Sequence, residues 1–166
     1  MFEVLVFVYE NYWRGDACPQ GEQLGRKLSA VGFEQDEIQE ALVWLSGLSL
    51  ATRGSEQPVA AGFPAADAQA PGLAPSASSM RIYSVDEQNR MGPECLGFLH
   101  FLDAARVLPT HMREVVIERA MASGGTDLGL DDLKIIVLMV YWSFGQEPDA
   151  LVLDELCDDP GGRIAH

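Results

Sequence analysis

The stretch Ser78–Gly92, SSMRIYSVDEQNRMG, decides how this chain is read. Its core, Met80-Arg81-Ile82-Tyr83-Ser84, reads as a short strand-like island. It then opens into a charged segment of helical character that Gly92-Pro93 ends. On its other side, Ala51 to Ser79 is rich in Ala, Pro, Gly and Ser and carries few large apolar residues. Such a composition cannot bury enough surface to offset its ordering entropy, so we read a flexible loop over about residues 54–78. A lone extended island needs a partner strand, and the chain offers one, Ser49–Arg53 (SLATR), on the far side of that loop.

Upstream, three helices are expected. Phe2, Leu5, Val6, Tyr9 and Trp13 recur at helical spacing, and Val4, Phe7 and Val8 make the same segment apolar on its other side. A helix apolar all round is buried between layers. A second helix runs from about Gln20 to Ala30, with Leu24, Leu28 and Val31 on its buried edge and Gly32 just past its end. The third covers about Gln35 to Leu48 on the stripe Ile38, Ala41, Leu42, Leu45 and Leu48. Asp36 and Glu37 in its first turn complement the helix dipole. Helix, helix, helix, strand, loop, strand is the order of a winged helix. The expected fold is therefore mainly α: a winged-helix-like three-helix unit with a two-stranded wing over residues 1–91, then a C-terminal helical bundle over 92–146 and an acidic tail over 147–166. In the bundle, helices are expected over Glu94–Val107, after Pro109, and over Asp131–Phe144. The centre of the last, IIVLMVYW, is apolar all round. The tail segment ALVLDELC is a candidate for one more short helix.

The chain has 166 residues, of which 48% are hydrophobic, and its net charge is −14, from 25 acidic and 11 basic side chains. Phosphate contacts supply most of the affinity for nucleic acid and need clustered Lys and Arg. Lys27 is the only lysine in the first hundred residues. Direct nucleic-acid binding is disfavoured, unless folding gathers Arg14, Arg26, Lys27, Arg53 and Arg81. The exposed side of the third helix makes the same point. A helix that reads DNA must approach phosphates, whereas Asp36, Glu37 and Glu40 would meet them with like charge. These three carboxylates, with Trp44 as an aromatic anchor that burial under the wing would equally explain, are the candidate partner-binding residues. Arg81, beside Tyr83, is the candidate for a structural ion pair between the island and the second half.

Five segments resemble a known family: MFEVLVFVYENYW, VGFEQDEIQEALVWL, SMRIY, GFLHFLDAARVLPTHMREVVIERAM and LGLDDLKIIVLMV are similar in order and spacing to the Smg family of small bacterial proteins, also described as a domain of unknown function. The resemblance covers Met1 to about Trp142. It implies no catalytic residue and no cofactor. It does imply a gene neighbourhood near a DNA-processing protein and a topoisomerase, a hint toward DNA metabolism.

The residues themselves carry no catalytic constellation. Cys18, Cys95 and Cys157 form neither a CxxC half-site nor a disulfide framework, and reduced thiols are the reading. His100 and His111 fall on separate helices, and His166 ends the sequence. There is no HExxH, EF-hand loop, GxSxG elbow or phosphate-binding glycine loop. Cys95 and His100 lie about 140° apart around one helix. Arg113, Glu114, Glu118 and Arg119 read as ordinary helix-surface charges. The start of the chain has no basic segment of a secretory signal, and the apolar run Ile135–Trp142 is too short to span a bilayer. The expectation is a cytoplasmic, non-enzymatic protein without cofactor or metal, acting as an interaction or regulatory module for a protein partner of basic or DNA-associated kind. The alternative is a nucleic-acid-associated regulator. An enzyme with an unrecognised site ranks last.

Overall fold

The computed structural model describes residues 1–12, 21–56, 81–125 and 127–148. The expected loop (but for its first residues), the tail helix, Trp13, Arg14, Cys18, Cys157 and His166 lie outside them. Among the described residues six helices follow in order: α1 Phe2–Tyr12, α2 Glu22–Val31, α3 Gln35–Glu56, α4 Val85–Ala104, α5 Thr110–Met121 and α6 Leu130–Ser143.

The architecture is organised around α6. This helix packs against α1, α3, α4 and α5, and Ile136, Val137, Met139 and Val140 are fully buried. Its all-round apolar sequence follows from having neighbours on every side. The second tier is α5, which packs on α3 and α4 as well as α6, while α2 lies against α3. Polar ties fix α6 at its C-terminal end. Tyr141 Oη donates to the Val107 carbonyl, the Trp142 indole donates to the Tyr12 carbonyl at 3.4 Å, and the Thr52 and Ser143 hydroxyls meet at 2.7 Å.

Two helix boundaries follow from local chemistry. Gly32 ends α2 in a left-handed conformation, and its N–H meets the carbonyls of Leu28 and Ser29. Ser84 begins α4 with a capping box: its hydroxyl accepts from the Glu87 N–H, and the Glu87 carboxylate accepts from the Ser84 N–H at 2.7 Å. Within α4 the backbone breaks at Gly92, where φ is 66°. L side chains rarely adopt that conformation, and Pro93, which has no N–H to give, restarts the helix there.

Among the described residues there is no two-stranded wing, and this corrects the winged-helix expectation; the helical character holds. Ser49–Arg53, expected as the first wing strand, continues α3. Nothing in SLATR stops a helix before Gly54, and its hydroxyls are satisfied within the helix. Thr52 Oγ1 donates to the Leu48 carbonyl at 2.8 Å and Ser49 Oγ to that of Leu45 at 3.2 Å. The returning strand is missing too. Arg81–Ser84 has no strand pairing, and Ile82, which a hairpin over a core would bury, is 89% exposed.

Leu50 tests this correction directly. It lies in the helical continuation and is 70% exposed. Leu50→Ala is expected to change stability by no more than about 0.5 kcal/mol. Leu50→Pro, which removes a helical N–H and clashes with the preceding turn, is expected to cost about 3 kcal/mol. Urea unfolding monitored by circular dichroism compares the two; equal stabilities would mean that α3 ends before Leu50.

Candidate functional site

The side of α3 that faces the core decides which residues can meet a partner. Ile38, Ala41, Trp44 and Leu48 point inward, while Leu42 and Leu45 are half-buried. The inward stripe is rotated from the expected one because α3 touches α1, α2, α5 and α6. Trp44 therefore lies within the structure, at 3% exposure. Its indole N–H donates to the Arg119 carbonyl at 3.1 Å. That carbonyl belongs to the last turn of α5, where helical geometry leaves acceptors without partners.

Above Trp44 a cleft of about 460 Å³ opens between the first half of α3 and the end of α5. Asp36, Glu40, Val43, Trp44, Arg119 and Gly124 line it. Asp36, Glu40 and Trp44, three of the four candidate residues, thus share one cleft. The fourth, Glu37, pairs with the Met1 amine at 3.4 Å. The Glu40 carboxylate lies so close to Gly124 that a Cβ there would sit 2.5 Å from its oxygen. Arg119 backs the cleft. Its guanidinium pairs with Glu118 at 2.8 Å and packs against Gly47 of α3, where any side chain would overlap it. Its buried Nε has no hydrogen-bond partner. Arg119 and Gly124 were not singled out from the sequence as site residues. Arg119 reads there as a surface charge; only tertiary packing carries both residues to α3.

Arg90 holds the Gly124 segment in place. Its guanidinium donates to the carbonyls of Ser123, Gly124 and Gly125, the contact to Gly124 being 2.8 Å. The Arg90 carbonyl in turn accepts from the Leu128 N–H at 3.0 Å.

Arg81 anchors the extended segment to two helices. Its Nε donates to both Glu114 oxygens of α5 at 2.9 Å, and its Nη atoms reach Glu87 of α4 at 2.9 and 3.1 Å. Glu114 also accepts from Arg113 at 3.1 Å, and Arg113 pairs with Asp103 at 2.9 Å. The Tyr83 ring lies 4.9 Å from the Arg81 guanidinium carbon. The hydrogen bonds from Arg81 hold the Glu87 carboxyl below its usual range, and those to Glu87 raise the Arg81 pKa.

Burial, with the nearby charges of Glu94 and Asp132, pushes the Cys95 thiol up to about 11. It is therefore protonated at neutral pH and unreactive. His100 and His111 are exposed on α4 and α5, and His111 meets the Phe144 ring edge-on at 5.3 Å. Among the described residues, no three His, Cys, Asp or Glu side chains are grouped to hold a metal ion, and no helix is long and apolar enough to cross a membrane.

These features belong to a small helical protein whose surface carries clefts and charged side chains. The chain belongs to the family described as "Protein of unknown function (DUF494)", whose model matches residues 1–166. It is 51% identical to the Protein Smg homolog of Leptothrix cholodnii over 169 residues, with both chains covered in full. It is likewise 51% identical to the Protein Smg homolog of Methylibium petroleiphilum over 168 residues and 46% identical to that of Herminiimonas arsenicoxydans over 169, each again over both full chains. No solved structure matches the chain.

The Arg81 network predicts a pH dependence. Glu87 has a folded-state pKa depressed below the ordinary 4.5. Its contribution is therefore present above that value and lost as pH falls through the depressed one. Arg81→Met is expected to cost about 1–2 kcal/mol at pH 7 and progressively less as pH falls below 4.5 and through the depressed pKa, flattening the acid limb of stability. Urea unfolding of both proteins across this range reads the difference, and parallel acid limbs would exclude the ion pair as its source.

Proposed function

We propose that the chain is a non-enzymatic interaction or regulatory module whose docking face is the first half of α3 and the cleft beside it. One observation carries this reading: Asp36 and Glu40 converge with Trp44, Arg119 and Gly124 in a single solvent-open cleft. The net charge of −14 adds to it, because an acidic surface attracts a basic partner over distance and speeds its association. A basic, DNA-associated protein of the cytosol fits this chemistry.

A role in direct nucleic-acid binding has less support. Arg81 is engaged by two carboxylates, Arg26 pairs with Glu22 one turn away, and Lys27 lies over the Tyr12 ring.

Affinity capture from the native bacterium, split into nuclease-treated and untreated halves, tests the reading with wild-type protein and with Asp36→Lys/Glu40→Lys. The expected outcome is one protein partner retained in both halves, with an affinity for the charge-reversed variant at least about tenfold weaker, the loss of roughly 1.4 kcal/mol. A partner recovered only without nuclease would favour the nucleic-acid alternative. A partner indifferent to the variant would remove the α3 face from the account.

A further inference from the structure

A leucine-lined hollow of about 430 Å³ opens where the second half of α3 meets the start of α2 and the end of α6. Of its lining, Leu24 and Leu48 are buried, Leu42, Leu45 and Trp142 are half-buried, and Leu50 is 70% exposed. The Trp142 indole is held by its bond to the Tyr12 carbonyl. A concave site of this size, mainly apolar and with few polar groups, has the form of a small-molecule site. Among the described residues it shares no lining with the cleft over Trp44.

The hydroxyls in the hollow are already engaged. Ser46 Oγ donates to the Val43 carbonyl at 2.7 Å and Ser49 Oγ to that of Leu45 at 3.2 Å. The Ser143 hydroxyl meets that of Thr52 at 2.7 Å. Arg53 is different. It is the one charged residue in the described lining, it is exposed, and among the described residues no carboxylate pairs with it. In the groove that adjoins the hollow at Gly21, Leu42 and Ser46, Glu22 and Arg26 pair with each other. The hollow therefore carries one uncompensated positive charge in a chain of net charge −14. Along α3 its lining runs from Leu42 to Arg53, about 16 Å at 1.5 Å per residue. That length takes an unbranched alkyl chain with its charged end on the guanidinium.

We propose that this hollow binds a medium-chain fatty carboxylate, its alkyl chain along Leu42, Leu45, Leu48 and Trp142 and its carboxylate on the Arg53 guanidinium. A guanidinium meets a carboxylate through two parallel N–H donors, and each methylene that leaves water adds to the affinity. The charge of the whole chain works against such a ligand, because at −14 it repels anions and attracts cations. A preference for an anionic amphiphile over a cationic one must therefore come from a local cation, and Arg53 is the residue placed to supply it. The proposal is independent of the partner-binding reading above, since it concerns a different hollow.

The probes are decanoate, hexanoate and decyltrimethylammonium, each below its micellar concentration, titrated into the full chain by calorimetry. Decanoate is expected to bind at a single site, at least about tenfold more tightly than decyltrimethylammonium. Hexanoate, with fewer methylenes to bury, is expected to bind at least about tenfold more weakly than decanoate. Arg53→Gln, at an exposed position, is expected to leave the thermal midpoint of the free protein in place and to weaken decanoate at least about tenfold. Ser46→Trp, which fills the hollow from an exposed lining position, is expected to abolish binding; should it also lower the midpoint, Arg53→Gln carries the test. No saturable binding, a preference for the cationic amphiphile, or a decanoate affinity unchanged in Arg53→Gln overturns the proposal. An unchanged affinity in a folded Ser46→Trp does the same, because the ligand would then sit elsewhere. The peptide N-acetyl-Ala-Leu-Leu, with its free C-terminal carboxylate, covers the remaining occupant. If it binds through Arg53 more tightly than decanoate, the hollow receives a protein terminus and the fatty carboxylate is excluded.

Discussion

Burial of α6 on all sides is the constraint from which the rest of the structure follows. Four of the other five helices pack on it, and each must present an apolar stripe toward it. With α1 and α3 on the same helix as α4 and α5, the N-terminal and C-terminal halves contribute to one core. Close packing of this kind makes a change of even one methylene felt by its neighbours. It also explains why α3 is so long. Its second half has α6 to lean on, and the Thr52–Ser143 hydroxyl pair ties the two helices together.

Polar groups are arranged around this core to hold segments that have little apolar surface of their own. Arg90 gathers the carbonyls that follow α5, and Arg81 pins an extended segment between α4 and α5. Each is a planar fork with several donors, suited to meeting multiple acceptors at once. The ion pairs around Arg81 form a chain from Glu87 through Glu114 and Arg113 to Asp103. A shared network of this kind orders its side chains together rather than pair by pair. The cleft over Trp44 depends on the same devices, since its far wall is the segment that Arg90 holds.

The features of α3 are linked. Trp44 turns inward to cap α5, which leaves Glu40 and Val43 on the outer surface and places Arg119 at the cleft. α2 packs beside α3 through the buried Leu24 and Leu28, and a Cβ at Gly25 would sit 3.4 Å from Leu42. Along α3 itself, Asp36 and Glu37 lie in the first turn and Arg53 in the last.

Much of this was legible in the residues. The apolar periodicity of α1, α2, α5 and α6, the stop at Gly32 and the break at Gly92-Pro93 are local signals, because helix spacing and cap chemistry act over one or two turns. The family was legible too, in segments whose order and spacing agree along the chain. What sequence alone could not decide was the state of SLATR and of Arg81–Ser84. Both are short, mixed segments whose intrinsic preferences differ by little, so the partner available to each sets the outcome. Ser49–Arg53 found α6 and stayed helical; Arg81 found Glu87 and Glu114, and its segment stayed extended without a strand beside it. The inward turn of Trp44 and the arrival of Arg119 and Gly124 at the α3 cleft were likewise decided by tertiary packing, since they depend on contacts between residues about 75 positions apart that no local pattern encodes.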